Sequence, residues 1–294
     1  MSERISFHEQ IQRNKLKSIA LMALAFLILI ALGYVISMFL NPGFFFIIMS
    51  FSIILSLGYI VFSYYNSDKL AIASVSAEEV KKAQYPRFHN LVEGLTIASG
   101  MPMPRLYIMH EPQINAFAAG RDPQHSVICA TTGALEKLDK EELEGVLAHE
   151  LSHIANYDIR FITLVAVLVG LVSIISELFL RSLWYNSNDN KGKNPALLII
   201  GITLAIIAPI AVTLIQFAVS RKREFTADAT GVKFTRYPNG LASALKKIRH
   251  DTPTKNINKA IAPLFMSDPF RNKIANLFST HPPIDERIRV LEAM

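Results

Sequence analysis

Four long apolar runs divide the chain. The first two, Ser18–Leu40 and Gly43–Tyr65, contain no charged residue. At about 1.5 Å of rise per helical residue, each could cross a hydrocarbon core about 30 Å thick. A turn-forming Asn-Pro-Gly sequence joins them, so the pattern predicts a transmembrane hairpin at residues 18–65 after an N-terminal segment, residues 1–17. A signal peptide is the alternative for the first run, but the run is long for one and a second span follows almost at once.

The third and fourth apolar runs are less uniform. Phe161–Leu180 contains Glu177, and Ala196–Val219 contains a proline and a glutamine. We interpret residues 161–183 and 196–219 as a second hairpin that is transmembrane or membrane-associated. The alternative is a buried helical pair packed on the polar part of the protein, because an acid inside a membrane is costly unless it faces protein or water.

Residues 66–160 and 220–294 are two polar regions on either side of this second hairpin. If all four runs span the membrane, both regions lie on the same side of it. More basic residues adjoin the spans on that side than on the other, which favours a cytoplasmic location. The two regions are therefore expected to be two parts of one domain.

Local patterns within the first polar region predict both helix and strand. Apolar residues recur on one face of a helix at residues 86–99. Residues 105–109, 115–119 and 126–130 have the character of short strands, and Gly120–Pro123 predicts a hairpin turn between the last two. The expected fold class is an α+β membrane protein with four transmembrane helices and a mainly helical domain that includes a small β-sheet.

Composition supports this interpretation and excludes others. Hydrophobic residues make up 51% of the chain, which is high for a soluble globular protein. The net charge is +6, but the basic residues flank apolar runs instead of forming a tract with interleaved aromatics. That placement predicts contact with membrane lipids and no nucleic-acid binding. The single cysteine, Cys129, excludes an intrachain disulfide or a cysteine zinc cluster, and we interpret it as a small buried hydrophobe.

One motif carries chemistry. His149, Glu150 and His153 belong to an H-E-x-x-H sequence. Asp139 and Glu142 upstream have the spacing of a capping box, which predicts a helix that begins near Asp139 and contains the motif. On a helix the two histidines share a face and can bind one metal ion.

The motif's chemistry is that of a metallopeptidase. Zinc acidifies a coordinated water, and Glu150 would act as the general base and return the proton to the leaving amine. Chance occurrence of the motif is the alternative, at about one in a hundred for a chain of this length. The predicted helix and the apolar residues around the motif favour metal binding. Zinc suits the site, as would cobalt or manganese.

A third ligand must come from elsewhere in the chain. The residues after His153 lack the glycine and third histidine of the metzincin pattern. Glu224 and Asp228 follow the fourth apolar run and share a helix face. Glu224 could complete the metal site, and Asp228 could accept a hydrogen bond from a ligand histidine, with His149 the expected partner. The alternative is a solvated, mixed-charge helix end.

Four motifs in order, together with the arrangement of apolar runs, resemble the HtpX-type membrane zinc proteases, which are relatives of the CAAX prenyl proteases. The motifs are Asn115–Ala118, His149–His153, Arg223–Asp228 and His281–Arg287. The resemblance implies a gluzincin-like domain on the cytoplasmic face of a bacterial inner membrane. It also implies one zinc ion per chain, Glu224 as the third ligand, and a role in quality control of misfolded or damaged membrane proteins.

Further roles follow from the resemblance. His281 and Arg287 look like groups near the transition-state oxyanion, and the alternative is a C-terminal turn with Arg287 in a salt bridge. One segment looks like the edge strand that pairs with an extended substrate, although its first residue could instead belong to a turn. The residues of that segment are Asn115, Ala116, Phe117 and Ala118.

Two other functions are consistent with the motifs. A zinc-stabilised scaffold or inactive adaptor would not need Glu150. A protease restricted to prenylated substrates would need an enclosed chamber, which four spans are too few to form without oligomerisation. The expected partners are membrane lipids and unfolded or membrane-protein substrates, with a second copy of the chain or other membrane quality-control proteases as further possibilities. The remaining histidines are interpreted as surface or satisfied core residues: His8, His89, His110, His125 and His250.

Overall fold

The computed structural model describes residues 7–39, 43, 45–164, 221–252, 264–266 and 282–294. Residues 158–164 are helical in addition to the labelled elements. The helices are α1 (Phe7–Phe39), α2 (Phe45–Tyr65), α3 (Ser67–Ser74), α4 (Pro86–Ser99), α5 (Thr132–Lys137), α6 (Lys140–Ala155), α7 (Arg221–Thr235), α8 (Pro238–His250) and α9 (Ile284–Glu292). The strands are β1 (Glu78–Glu79), β2 (Arg105–Met109), β3 (Ala116–Asp122) and β4 (His125–Thr131).

The first two apolar runs form the predicted helical hairpin, in which α1 packs against α2. Within the described part of the chain, α2 is the one helix that is long and apolar enough to cross a membrane. Helix α1 begins at Phe7, so most of the predicted separate segment 1–17 is helical and continuous with the first run. Of the second predicted hairpin, only residues 161–164 lie within the described residues, and the expectation of four spans stays a prediction.

The small sheet has the strand order β1-β2-β4-β3. Strands β2 and β4 are parallel, and β3 pairs antiparallel with β4 as the hairpin prediction required. The predicted turn at Gly120–Pro123 was wrong in its position, because β3 continues to Asp122 through a bulge. Gly120 makes this possible: its φ is +139°, and a Cβ there would lie 2.2 Å from the carbonyl oxygen of His125.

Both faces of the sheet are buried, and residues alternate between them. One face, which includes Ile108, Ala118 and Ile128, packs with residues of α4, α6 and α8 in the main hydrophobic core. The other face, which includes Phe117 and Cys129, packs against α3, Leu264 and Phe265. Cys129 is 1% exposed within this cluster, which confirms the prediction of a small buried hydrophobe, and burial raises the pKa of its thiol.

Helix α6 begins with the predicted capping box. The Asp139 carboxylate accepts from the Glu142 amide, and the Glu142 carboxylate accepts from the Asp139 amide, both at 2.9 Å. Further along, a Cβ at Gly145 would lie 2.6 Å from the backbone nitrogen of Leu241, so α8 approaches α6 closely there. The helix that carries the motif is thus fixed at its start and enclosed by neighbouring elements.

Candidate metal centre

Helix α6 presents both motif histidines on one buried face. His149 is fully buried and His153 is 7% exposed. Their Nε2 atoms lie 3.2 Å apart. The spacing in sequence predicts this arrangement, because residues four apart on a helix project in the same direction.

Glu224 of α7 meets the two histidines from the opposite side. Its carboxylate oxygens lie 3.6 Å from Nε2 of His149 and 3.6 Å from Nε2 of His153. Helix α7 comes this close because Gly231 has no side chain: a Cβ there would lie 3.0 Å from the backbone nitrogen of His149. The close crossing of α6 and α7 therefore builds the three-residue cluster.

The cluster has the dimensions of a tetrahedral zinc site. Two ligands bound to zinc at about 2.0–2.1 Å in a tetrahedron are about 3.3–3.4 Å apart. The observed separations are 3.2, 3.6 and 3.6 Å, and the donor set of two imidazoles and one carboxylate is that of catalytic zinc sites. His149, His153 and Glu224 therefore fit the metal that the motif predicts.

Each histidine has a carboxylate behind it. Oδ1 of Asp228 lies 2.9 Å from Nδ1 of His149, which is the contact predicted from the sequence. Oδ2 of Asp158 lies 3.2 Å from Nδ1 of His153. When Nδ1 donates its proton to a carboxylate, Nε2 is left to bind a metal. Asp158 was not identified from the sequence, and the signal that could have found it is a carboxylate three residues after the end of the motif helix.

The two histidines have different pKa values because their surroundings differ. Burial and the positive charge of Arg287 lower the pKa of His149, although Asp228 opposes the shift. Burial also acts to lower the pKa of His153, but the hydrogen bond with Asp158 and the charge of Glu224 outweigh it and raise this pKa to about 9.

Arg287 of α9 is buried behind the cluster. Its Nε and Nη2 donate to the Asp228 carboxylate at 2.9 and 2.6 Å, and Nη1 lies 3.4 Å from Oε2 of Glu224. Although burial opposes it, this guanidinium lowers the pKa of Asp228 and keeps it ionised. The structure thus places Arg287 in the salt bridge that the sequence left open as an alternative. His281 lies outside the described residues.

Glu150 lies beside the cluster and is nearly fully buried. Its Oε1 has no hydrogen-bond partner within the part of the chain that the structure describes. Burial, and then the charge of Glu224, raise the pKa of Glu150 to about 8, while His153, the Ala118 backbone and Arg287 act to lower it. A carboxyl group with a raised pKa is suited to carrying protons near neutral pH.

The predicted substrate segment lies against the metal cluster. Ala118 lines the same cavity as His149 and Glu150. Asn115 precedes β3 and is fully buried. Its backbone N–H donates to Oγ1 of Thr131 at 3.0 Å. Strand β3 is at the edge of the sheet within the described residues, as the family resemblance implied.

The outer edge of β3 is occupied by residues 264–266. The Met266 amide donates to the carbonyl oxygen of Ala116 at 2.9 Å, and Phe117 and Phe265 form an antiparallel bridge. The rings of these two phenylalanines lie 5.1 Å apart in an edge-to-face arrangement. Residues 264–266 also line the cavity of the metal cluster. A segment of the chain itself is therefore seated where an extended peptide would pair.

A buried H-E-x-x-H helix, a glutamate from a second helix and the edge strand of a small sheet beside them define a metallopeptidase of the His/His/Glu type. The model of Peptidase family M48 matches residues 82–294, and the chain belongs to this family. It is therefore a metalloprotease, and the resemblance drawn from the four motifs is confirmed.

Two relatives match almost the whole length of this chain. A "Protease HtpX homolog" of Caldanaerobacter subterraneus subsp. tengcongensis is 44% identical over 100% of this chain and 99% of its own length. Another, from Dictyoglomus thermophilum, is 42% identical over 98% of this chain and 95% of its own. The "Crystal Structure of S. mikatae Ste24p" shows 16% identity with a TM-score of 0.48, and it covers 97% of this chain and 67% of that one.

Proposed function

We propose that this protein is a zinc-dependent, membrane-bound endopeptidase. The observation that carries the proposal is the fit of His149, His153 and Glu224 to a tetrahedral zinc site, with the carboxylate of Glu150 buried next to it. A zinc-stabilised scaffold is the second candidate, but a structural site has no use for a buried carboxylate at that position.

The residues of the site divide the work of peptide hydrolysis. A bound zinc ion would supply Lewis acidity for the scissile carbonyl and lower the pKa of water. Glu150 accepts the proton of the attacking water, holds it, and delivers it to the amine nitrogen when the C–N bond breaks. Asp228 and Asp158 hold the imidazoles in the orientation and tautomer that leave Nε2 toward the metal. Arg287 keeps Asp228 ionised.

The substrate is an extended, apolar stretch of polypeptide. Strand β3 offers backbone groups to such a chain, and pairing through the backbone gives affinity with little dependence on sequence. The seating of residues 264–266 on this edge supports the geometry, and the contact between Phe265 and Phe117 supports a preference for aromatic or bulky apolar side chains. A substrate must displace residues 264–266 to bind.

The α1–α2 hairpin and the charge pattern support the physiological setting that we propose. Misfolded or damaged membrane proteins expose extended apolar segments next to the bilayer. Such segments are suited to pair with the edge of β3. We place the enzyme in a bacterial inner membrane with the metal centre on the cytoplasmic side, where the basic flanks of the spans favour it. Contacts with lipids belong to α2, whose large apolar side chains are mostly exposed. Self-association, or association with other membrane quality-control proteases, is part of the same proposal.

The test is cleavage of casein, an unfolded protein, by the full chain purified in detergent. Glu150→Gln is the matched variant, because it keeps the shape of the side chain and removes the proton acceptor. We expect zinc-dependent cleavage in the wild type and at least a hundredfold loss in Glu150→Gln with unchanged zinc content. Equal cleavage by both would show a contaminant and overturn the mechanism. Absence of cleavage by a wild-type chain that holds one zinc ion would favour the scaffold or an enzyme kept latent by residues 264–266.

A further inference from the structure

The turn after the metal-binding helix α6 has an unusual backbone. Helix α6 ends at Ala155, and residues 158–164 form the next helical segment. Between them Tyr157 has a φ of +59°, in the left-handed region that residues with a side chain seldom adopt. This conformation brings Asp158 back beneath His153. Something must hold the turn in this form.

Asn14 of α1 contacts both sides of this turn. Its Nδ2 donates to the carbonyl oxygen of Asn156 at 3.0 Å and to Oδ1 of Asp158 at 2.7 Å. A side-chain amide has two N–H groups, one for each acceptor. Asn14 and Asp158 are both buried, so water does not compete for these bonds. The Lys15 ammonium, next along α1, lies 4.6 Å from the ring centroid of Tyr157.

We propose that Asn14 is a positioning residue for the metal ligand His153 and acts through Asp158. The two oxygens of Asp158 have separate partners: Oδ1 accepts from Asn14, and Oδ2 accepts from Nδ1 of His153 at 3.2 Å. Because Asn14 fixes Oδ1, the plane of the Asp158 carboxylate is fixed. The orientation of the His153 ring, whose Nε2 points at the cluster, is then fixed as well. A helix of the membrane hairpin thereby helps to set the geometry of the metal site.

The consequence is that metal binding depends on how α1 docks against the polar domain. The inference rests on the proposed function only in requiring that His153 binds a metal. Its test therefore measures metal binding directly. A wild-type chain that binds no zinc would refute the proposed function, whereas variants that bind zinc as the wild type does would refute this inference alone.

The experiment compares variants of the full chain in detergent. Asn14→Leu keeps the volume and removes both donors, and Asn14→Asp places a second carboxylate against Asp158. Ser18→Ala is the control, because Ser18 is a buried polar residue of the same helix whose hydroxyl donates to the carbonyl oxygen of Asn14 and not to the turn. Zinc affinity is measured by competition with a chromophoric chelator. The visible absorption of the cobalt-loaded protein reports the ligand geometry.

We expect Asn14→Leu to weaken zinc binding about tenfold, the lower end of the usual range for residues behind a ligand, and to change the cobalt spectrum. Asn14→Asp should weaken binding further, and Ser18→Ala should do neither. In an Asp158→Ala background, Asn14→Leu should cause no additional loss, because the link is already broken. Wild-type affinity with an unchanged spectrum, or an equal loss in both backgrounds, would overturn the inference. If Asn14→Leu does not fold, Asn14→Ser, which keeps one donor, decides between the same outcomes.

Discussion

If substrate pairs with the edge of β3 as proposed, residues 264–266 compete with it, and weakening their contacts should raise peptidase activity. Phe265→Ala is the direct perturbation. The Phe265 side chain is 1% exposed, and burial of a phenylalanine contributes about 1.5–3 kcal/mol. Its edge-to-face contact with Phe117 adds about 0.5–1.5 kcal/mol. Loss of both favours the open edge by about 2–4.5 kcal/mol, which is about 30- to 1,600-fold in population at 1.4 kcal/mol per tenfold.

This factor is an upper bound on the gain in activity, because the gain stops once the edge is mostly open. We expect at least a tenfold rise in kcat/KM for a quenched fluorescent peptide of apolar sequence, measured with equal zinc content. Phe88→Ala is the matched control: Phe88 is equally buried, but it lies on α4 and belongs to a different core cluster from Phe265. It should lower the unfolding temperature without raising activity. If Phe265→Ala folds and binds zinc but cleaves no faster than the wild type, residues 264–266 do not block the site.

Three further predictions concern the supports of the metal centre. Asp228→Asn leaves Arg287 buried beside a neutral group and removes the carboxylate behind His149. Zinc affinity, measured by chelator competition, should fall about 10- to 100-fold, and stability, measured by thermal unfolding, should fall by about 3 kcal/mol. A variant with wild-type zinc affinity would contradict the role of Asp228. Gly231→Val should separate α7 from α6 at a cost of about 1–3 kcal/mol and reduce zinc content. The control is Gly94→Ala: Gly94 is helical, and a Cβ added there would meet no other atom within 4 Å, so this change should be neutral or stabilising. Asp139→Ala removes the capping box and should cost about 1 kcal/mol in denaturant unfolding with kcat unchanged, and a loss of kcat would show that the cap also positions the motif.

Local patterns were enough for much of the architecture. The capping box at Asp139, the period of the apolar residues in α4 and the short alternating strands act over a few residues, so their outcome does not depend on the rest of the fold. The pairing of His149 with His153 is local for the same reason. Where the prediction failed in detail, at the turn after Gly120, the bulge depends on a close approach to His125 on the neighbouring strand.

The sequence alone therefore determined the helical hairpin, the motif helix, the shared face of two candidate metal ligands and the family to which the chain belongs. Tertiary structure decided the rest of the site. Glu224 could be named as a candidate from the sequence, but only the crossing of α6 and α7 at Gly231 shows that it reaches the histidines. The contacts of Asp158 with Asn14, and of Phe265 with Phe117, join residues more than a hundred positions apart. No local pattern records such contacts, because they depend on how completed helices and strands pack against one another.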